Sequence, residues 1–275
     1  MTDRYAVFGN PIQHSKSPQI HAAFAESTEQ DLSYEAICVA EGAFDEQVEK
    51  FLTGAGKGLN ITIPFKQDAW ELAEKRSPQA ELAGAVNTLY RDAEGRLCGD
   101  NTDGIGMVRD IVNNHSGVIK DKKVLILGAG GAVRGVLQPV LQQLPAKLVI
   151  ANRTASKATA LADLVADLGD VKGCGYDELA GESFDLIING TAASLQGEVP
   201  PLPEGILNEG GWCYDMMYAA EPTAFCLWAE EKNAAKALDG LGMLVEQAAE
   251  SFRIWRGVEP NSKAVIEKIR SSLTA

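Results

Sequence analysis

The chain has 275 residues, longer than a single hydrophobic core normally supports, so two domains are expected. Its 25 basic and 38 acidic side chains give a formal charge of −13, which opposes general binding to a polyanion and argues against a nucleic-acid partner. Hydrophobic residues make up 45%, yet no apolar run approaches the roughly 20 residues needed to cross a bilayer, so no membrane association is expected.

Short β-like runs alternate with helical patterns along most of the chain, which predicts an α/β protein with largely parallel sheets. The opening stretch MTDRYAVFGNPIQHSKSP has too short an apolar run for a secretory signal, so a cytoplasmic location is expected. It holds a strand at 5–8, followed by a helix after Pro18, a strand at 34–39, a helix over 43–52 and a strand at 59–63. Residues 87–90 and 96–98 flank Asp92-Ala93-Glu94-Gly95, a turn composition that predicts a hairpin and some antiparallel character. A second series starts at Lys122 with an apolar strand, a glycine-rich turn and a helix whose interior contains Pro139, a residue that kinks or ends helices. Strands follow at 148–151, near Val171, at 184–188 and around 212–214, with a helix over 156–168. The last strong pattern is a helix over 241–255 with an apolar stripe. Gly240, Met243 and Gln247 form a second face at spacings of three and four, suited to lining a ligand cleft. Crossings between domains are expected at the helix opening with Asp103 and at this late helix.

Gly128-Ala129-Gly130-Gly131-Ala132 joins strand to helix, so its amides can approach a pyrophosphate while the helix N-terminus supplies positive potential. Val133 stands where a GxGxxG fingerprint has its third glycine. The second strand of a NAD-binding unit usually ends in an acid that accepts from the ribose hydroxyls. Here it ends Asn152-Arg153-Thr154, with Lys157 one helical turn on, and these two charges and a hydroxyl point to the 2′-phosphate of NADP. The alternative is a helix cap at Thr154 beside two solvated basic residues. Thr191 and Met216, at later strand ends, are placed for the nicotinamide half or are simply loop residues. The five cysteines show no CxxC spacing and read as reduced and mostly buried. His14, His21 and His115 have no metal-ligand spacing, and no metal is expected.

Three polar segments fall in the first hundred or so residues. In His14-Ser15-Lys16-Ser17-Pro18 both hydroxyls stand before a helix and could receive a carboxylate, unless Ser17 only caps that helix. In Asn60-Ile61-Thr62-Ile63-Pro64-Phe65-Lys66, alternation puts Asn60 and Thr62 on one strand face, with Lys66 at the strand's end. Asp100-Asn101-Thr102-Asp103-Gly104 opens a helix, where an N-cap is the ordinary use of an Asp. Taken together and in order, SKSP, NITIPFK, GAVNT, DNTDG, GAGGA, NRT and DGLGMLVEQ closely resemble the shikimate dehydrogenase family over nearly the whole chain.

The resemblance implies an N-terminal α/β substrate domain plus a Rossmann-type dinucleotide-binding domain with a cleft between them. Residues 1–103 and 241–275 would form the substrate-binding and catalytic domain, and 104–240 the NADP-binding domain. It implies NADPH-dependent reversible reduction of 3-dehydroshikimate to shikimate, with a small-molecule substrate as partner and a monomer or homodimer. Ser15 and Ser17 would bind the substrate carboxylate. Asn60, Thr62, Asn87, Asp103, Tyr218 and Gln247 would contact hydroxyls or frame the ring, and Lys66 and Asp103 would be catalytic. These roles suit the chemistry, because hydride delivery to a ketone builds negative charge on oxygen, which an ammonium can stabilise and protonate. A neighbouring carboxylate would orient that ammonium, and the division of acid and base work stays open between the two. A quinate/shikimate dehydrogenase, a nucleotide-responsive binding protein without the chemistry and a methylenetetrahydrofolate dehydrogenase are the rival readings.

Overall fold

Tyr5, Ala6, Val7 and Phe8 are all buried at the centre of strand β1 (Asp3–Gly9), the spine of the first of two sheets in this computed structural model, which describes residues 2–273. β1 runs parallel to β2 (Leu32–Cys38) and β3 (Gly56–Ile61). The antiparallel hairpin of β5 (Thr88–Arg91) and β6 (Leu97–Asp100) continues the sheet beside β3, and the two-residue β4 (Lys75–Arg76) closes the order β2-β1-β3-β5-β6-β4. Helices α1 (Ser17–Ser27), α2 (Phe44–Thr53), α3 (Lys66–Leu72) and α4 (Pro78–Ala83) belong to the same unit. Phe8, Phe44, Leu59, Phe65 and Leu89 meet in its core. Ser77 caps α4 by accepting from the Ala80 amide, and Gly84 ends it at φ 60°, the left-handed position where glycine carries no Cβ penalty.

The second sheet is wholly parallel, in the order β12-β11-β10-β7-β8-β9. Its strands are β7 (Lys123–Leu127), β8 (Lys147–Ala151), β9 (Val171–Cys174), β10 (Phe184–Asn189), β11 (Leu207–Asp215) and β12 (Lys236–Leu238). Counted within the unit this is the 3-2-1-4-5-6 order of a Rossmann-like fold, whose ligand crevice opens at the carboxyl ends where the order reverses, here between β7 and β10. The near-continuous apolar runs of β7, β8 and β10 follow from burial on both faces. Helices α6 (Gly131–Leu141), α7 (Ala155–Leu164) and α8 (Ala224–Glu231) alternate with these strands.

The two units comprise residues 2–106 with 244–272, and residues 107–243. The chain passes from one to the other inside α5 (Asp103–Arg109) and inside α9 (Leu241–Arg256). A final helix, α10, spans Ser262–Leu273.

Three local expectations need correction. β3 stops at Ile61, so Thr62 lies beyond the strand: the Phe65 amide turns back to the Thr62 carbonyl at 3.0 Å, and Pro64 has no N–H to extend a ladder. Lys66 accordingly opens α3 instead of ending a strand. The helix over 156–168 is an α-helix only to Leu164, with a 3-10 turn at Ala166–Leu168. Pro139 lies inside α6, which ends two residues later at Leu141. All five cysteines are free, with Cys38 exposed and the other four buried.

Within the first unit α9 docks through its apolar stripe. Phe252 is fully buried, with its ring 5.7 Å from that of Phe24, and Trp255 Nε1 donates to the Leu89 carbonyl at 3.2 Å. Truncating Phe252 to alanine would open a cavity beneath the helix that carries Gln247. A loss of about 3–5 kcal/mol in urea unfolding is expected, and a loss under about 1 kcal/mol would show that the site can collapse.

Candidate active site

In the first unit, Lys66 at the start of α3 and Asp103 at the start of α5 form an ion pair, with Lys66 Nζ donating to Asp103 Oδ2 at 2.5 Å. Both side chains stay in reach of solvent, 30% and 17% exposed, so the pair can still meet a ligand. Asn87, just before β5, donates from Nδ2 to the other carboxylate oxygen, Asp103 Oδ1, at 2.8 Å. The same nitrogen lies 2.9 Å from Thr102 Oγ1 and 3.3 Å from Gln247 Oε1. Backbone bonds hold this corner: the Val86 amide donates to the Lys66 carbonyl at 2.8 Å, and the Asn101 side chain to the Ala85 carbonyl at 3.1 Å. Asp103 is thus more than a helix cap, because its two oxygens have separate, fixed partners.

Asn60 lies at the centre of a second polar group and is 6% exposed. Its Oδ1 accepts from the Tyr34 hydroxyl at 2.7 Å and from His21 Nε2 at 3.2 Å, while its Nδ2 reaches the Asn87 carbonyl at 3.1 Å and Ser251 Oγ at 3.0 Å. Both ends of the carboxamide are engaged by protein, which suits framing of a ligand rather than direct contact. Ser15 Oγ accepts from the Ser17 amide at 3.3 Å, and Ser17 lies at the first position of α1, whose N-cap residue is Lys16 and has no side-chain cap. The simple capping role for Ser17 is therefore absent. The methyl of Thr62 packs against the backbone of Gly9, while its amide donates to the Phe8 carbonyl at 2.9 Å.

His21 is 1% exposed, and its ring stacks on that of Tyr34 at 4.1 Å. Since Asn60 Oδ1 can only accept, the imidazole proton is assigned to Nε2, and Nδ1 has no hydrogen-bond partner. Burial pushes the pKa of this histidine down to about 3, against about 6.5 in an unfolded chain. Between those values the unfolded state holds the extra proton. The contribution of neutral His21 is therefore complete above about pH 6.5 and is lost as pH falls toward 3, at up to about 1.4 kcal/mol per pH unit. Urea unfolding of the native chain and of His21→Gln at about pH 7, 6 and 5 should give the native chain the steeper acid loss, by one proton. Equal slopes would refute this.

In the second unit the glycine turn follows β7 directly. Gly128 has φ +105°, and a Cβ there would lie 3.1 Å from Thr191 Cγ2. At Gly130 and Gly131 an added Cβ would meet nothing within 4 Å, so the backbone borders open space. No side chain caps the N-terminus of α6, so its first amides point at that space. The missing third glycine has a counterpart across the sheet: Val133 is fully buried against Gly190, where a Cβ would collide with Val133 Cγ2 and lie 3.1 Å from Met216 Sδ. Thr191, Met216 and Gly240 collect around this point, because Thr191 Oγ1 donates to Asn189 Oδ1 at 2.7 Å and the Gly240 amide to the Met217 carbonyl at 3.0 Å. The buried Asp215 fixes the turn by accepting from Asn189 Nδ2 at 3.1 Å and from Thr223 Oγ1 at 2.7 Å, and burial raises its pKa.

At the end of β8, Arg153, Thr154 and Lys157 are exposed, and Asn152 Nδ2 donates to the Thr154 carbonyl at 3.0 Å. Thr154 is the N-cap residue of α7, but its hydroxyl makes no capping bond. Arg153 lines a surface cavity of about 510 Å³ with Tyr176, Asp177 and Leu202. An open glycine cradle, an uncapped helix N-terminus and a strand end with two cations and no acid fit a phosphorylated dinucleotide. Met243, at the end of this unit, meets the Tyr214 hydroxyl through its backbone. Tyr218 is half-buried after β11, and burial raises its phenol pKa. Among the described residues no group of three or more His, Cys, Asp or Glu side chains could hold a metal ion, and no helix is long and apolar enough to cross a membrane.

The structure thus brings Asn60, Lys66, Asn87, Asp103 and Gln247 into one hydrogen-bonded system and gathers the glycine turn, Thr191, Met216 and Gly240 in the other unit. Thr88, Thr102 and Ser251, which join the first system, were not singled out as site residues, although Thr88 ends GAVNT and Thr102 lies within DNTDG. Ser251 falls four residues after Gln247 on the face begun by Gly240 and Met243.

A Rossmann-like unit with an open glycine turn, together with a unit bearing a lysine–carboxylate pair, defines a two-unit α/β oxidoreductase of the dinucleotide-binding class. Family models agree over most of the chain: the shikimate dehydrogenase substrate binding domain matches residues 7–89, the shikimate / quinate 5-dehydrogenase model residues 110–196, and the shikimate 5'-dehydrogenase C-terminal domain residues 240–270. The shikimate dehydrogenase (NADP(+)) of Alkalilimnicola ehrlichii is 57% identical over 270 residues, covering 98% of this chain and 99% of its own. The solved structure of an Ael1 enzyme from Pseudomonas putida is 47% identical with a TM-score of 0.93, over 100% of this chain and 99% of that one. That of the shikimate 5-dehydrogenase from Thermus thermophilus, in complex with NADP(H) and shikimate, is 32% identical with a TM-score of 0.85, over 99% and 100%. The chain belongs to the shikimate dehydrogenase family.

Proposed function

We propose that this chain catalyses the reversible, NADP-dependent interconversion of 3-dehydroshikimate and shikimate, a step of aromatic amino acid biosynthesis. The observation that carries the reading is the Lys66–Asp103 pair at 2.5 Å, held from the far side by Asn87. NADPH, when bound, supplies the hydride. Lys66 places an ammonium where the carbonyl oxygen gains negative charge and holds the proton that oxygen needs, while Asp103 keeps the lysine aimed. In the oxidative direction the pair receives the proton from the substrate hydroxyl. Ser15 and Ser17 hold the substrate carboxylate. Thr62, Asn87, Tyr218 and Gln247 contact its hydroxyls, and Asn60 frames them.

Gly128, Ala129, Gly130, Gly131 and Ala132 receive the pyrophosphate, and Asn152, Arg153, Thr154 and Lys157 the adenosine end with its 2′-phosphate. Thr191, Met216, Gly240 and Met243 face the nicotinamide half. The enzyme works in the cytoplasm as a monomer or homodimer. Residues up to 103 and from 241 onward form the catalytic domain in this reading, and 104–240 the cofactor domain. The test is an initial-rate assay with shikimate and quinate, each with NADP and with NAD. Turnover of shikimate with NADP is expected to dominate, and activity confined to quinate with NAD would overturn the reading.

A further inference from the structure

Ser251 and Thr88 are both fully buried, and their hydroxyls lie 2.7 Å apart. Neither is placed to touch a ligand, yet both belong to the polar system behind Asp103. The direction of each bond follows from counting protons. Thr88 Oγ1 lies 2.9 Å from Asn87 Oδ1, an oxygen that can only accept, so the single threonine proton goes there. Ser251 Oγ has two acceptors in reach, Thr88 Oγ1 at 2.7 Å and the Gln247 carbonyl at 3.1 Å; with the Thr88 proton on Asn87 it donates across the shorter contact, and it accepts in turn from Asn60 Nδ2 at 3.0 Å. The result is a one-way chain from Asn60 through Ser251 and Thr88 to the Asn87 oxygen. On its other side the Asn87 nitrogen donates to Asp103 Oδ1, whose partner oxygen holds Lys66.

A carboxamide can sit in either of two flipped orientations of nearly equal shape. For Asn87 the two differ greatly, because the reversed one would turn its oxygen toward the Asp103 carboxylate. The Thr102 amide, 3.0 Å from Asn87 Oδ1, supplies one donor for the observed orientation, and Thr88 Oγ1 at 2.9 Å supplies a second, nearer than Thr102 Oγ1 at 3.2 Å, whose proton has a shorter bond to the Gln247 carbonyl at 2.9 Å. We propose that the Thr88–Ser251 hydroxyl pair is a positioning element for the reaction, holding the Asn87 carboxamide so that its N–H fixes Asp103 against Lys66. This rests on the reading of Lys66 and Asp103 as the catalytic pair.

The test compares Ser251→Ala, Thr88→Val and Thr88→Ser in the full chain, measuring kcat and KM for shikimate oxidation with NADP, and thermal unfolding in parallel. Ser251→Ala and Thr88→Val are expected to lower kcat about tenfold, the size of one weakened hydrogen bond to a charged group, with KM for shikimate within about twofold. Thr88→Ser keeps the hydroxyl and should restore most of the turnover. The double variant should be little worse than the poorer single one, since both act through one chain. Unchanged kcat in the folded variants, an effect on KM alone, or an equal fall in Thr88→Ser and Thr88→Val would overturn the proposal. If Thr88→Val fails to fold, Ser251→Ala decides alone, and failure of both to fold would make the pair purely structural and overturn it too. Asp103→Asn is assayed alongside: normal turnover there would sink the catalytic pair itself. An inactive Asp103→Asn beside fully active Ser251→Ala and Thr88→Val would sink only the positioning role.

Discussion

Replacing Lys66 by alanine is expected to lower kcat about a thousandfold while KM for shikimate changes only severalfold. The asymmetry follows from where the charge is. The substrate in its ground state offers Lys66 a neutral oxygen, and only on the way to or from the ketone does that oxygen become negative, so the ammonium acts mainly on the transition state. Positioned proton transfer by a side chain is generally worth about 10²–10⁴ in rate, and here the same group also stabilises the developing charge. Asp103→Asn keeps the shape and Asn87 within reach but removes the anion 2.5 Å from Lys66 Nζ, and a fall of about a hundredfold is expected. Because the two work as a unit, Lys66→Ala combined with Asp103→Asn should be scarcely slower than Lys66→Ala alone. Single-turnover measurements with saturating substrate and NADP check this. Near-normal rates in both single variants, or fully multiplicative losses, would remove the pair from the chemistry.

The β7–glycine turn–α6 series was readable because a strand covered on both faces shows as an unbroken apolar run, and because a turn without Cβ atoms has few other uses. The hairpin of β5 and β6 was readable for a similar reason, its turn being written in four consecutive residues. Features that depend on distant segments were not. Alternation put Asn60 on a face with Thr62, but α9, which brings Ser251 against that face, lies far along the chain. The partners that hold the Asn60 carboxamide therefore come from α1, β2 and α9, which its own spacing could not show. In the same way Val133 looks like a defect in a glycine fingerprint until Gly190, at the end of β10, provides the space for it. His21 was a lone histidine with no partner at helical spacing, and only the fold encloses it among Tyr34, Phe24 and Phe252.

Arg153→Ala combined with Lys157→Ala is expected to raise the dissociation constant for NADP about a hundredfold and to leave that for NAD nearly unchanged. Both side chains are exposed, so they cost little when no cofactor is bound, and their contribution falls on the one group that separates the two cofactors, the 2′-phosphate. Removing each charge-assisted hydrogen bond should weaken binding about tenfold, and direct titration of each cofactor, without turnover, reads the change. Salt gives an independent check. Binding of NADP to the native chain should weaken more steeply with ionic strength than binding of NAD, and the double variant should lose that difference. Arg153→Asp tests the same point from the other side, because it restores the acid with which NAD-binding strands end, and there the preference should move toward NAD. If the double variant weakened both cofactors equally, the two cations would be serving the shared pyrophosphate. The preference for NADP would then have to come from some other part of the chain, since the strand end at Asn152 contains no other charge.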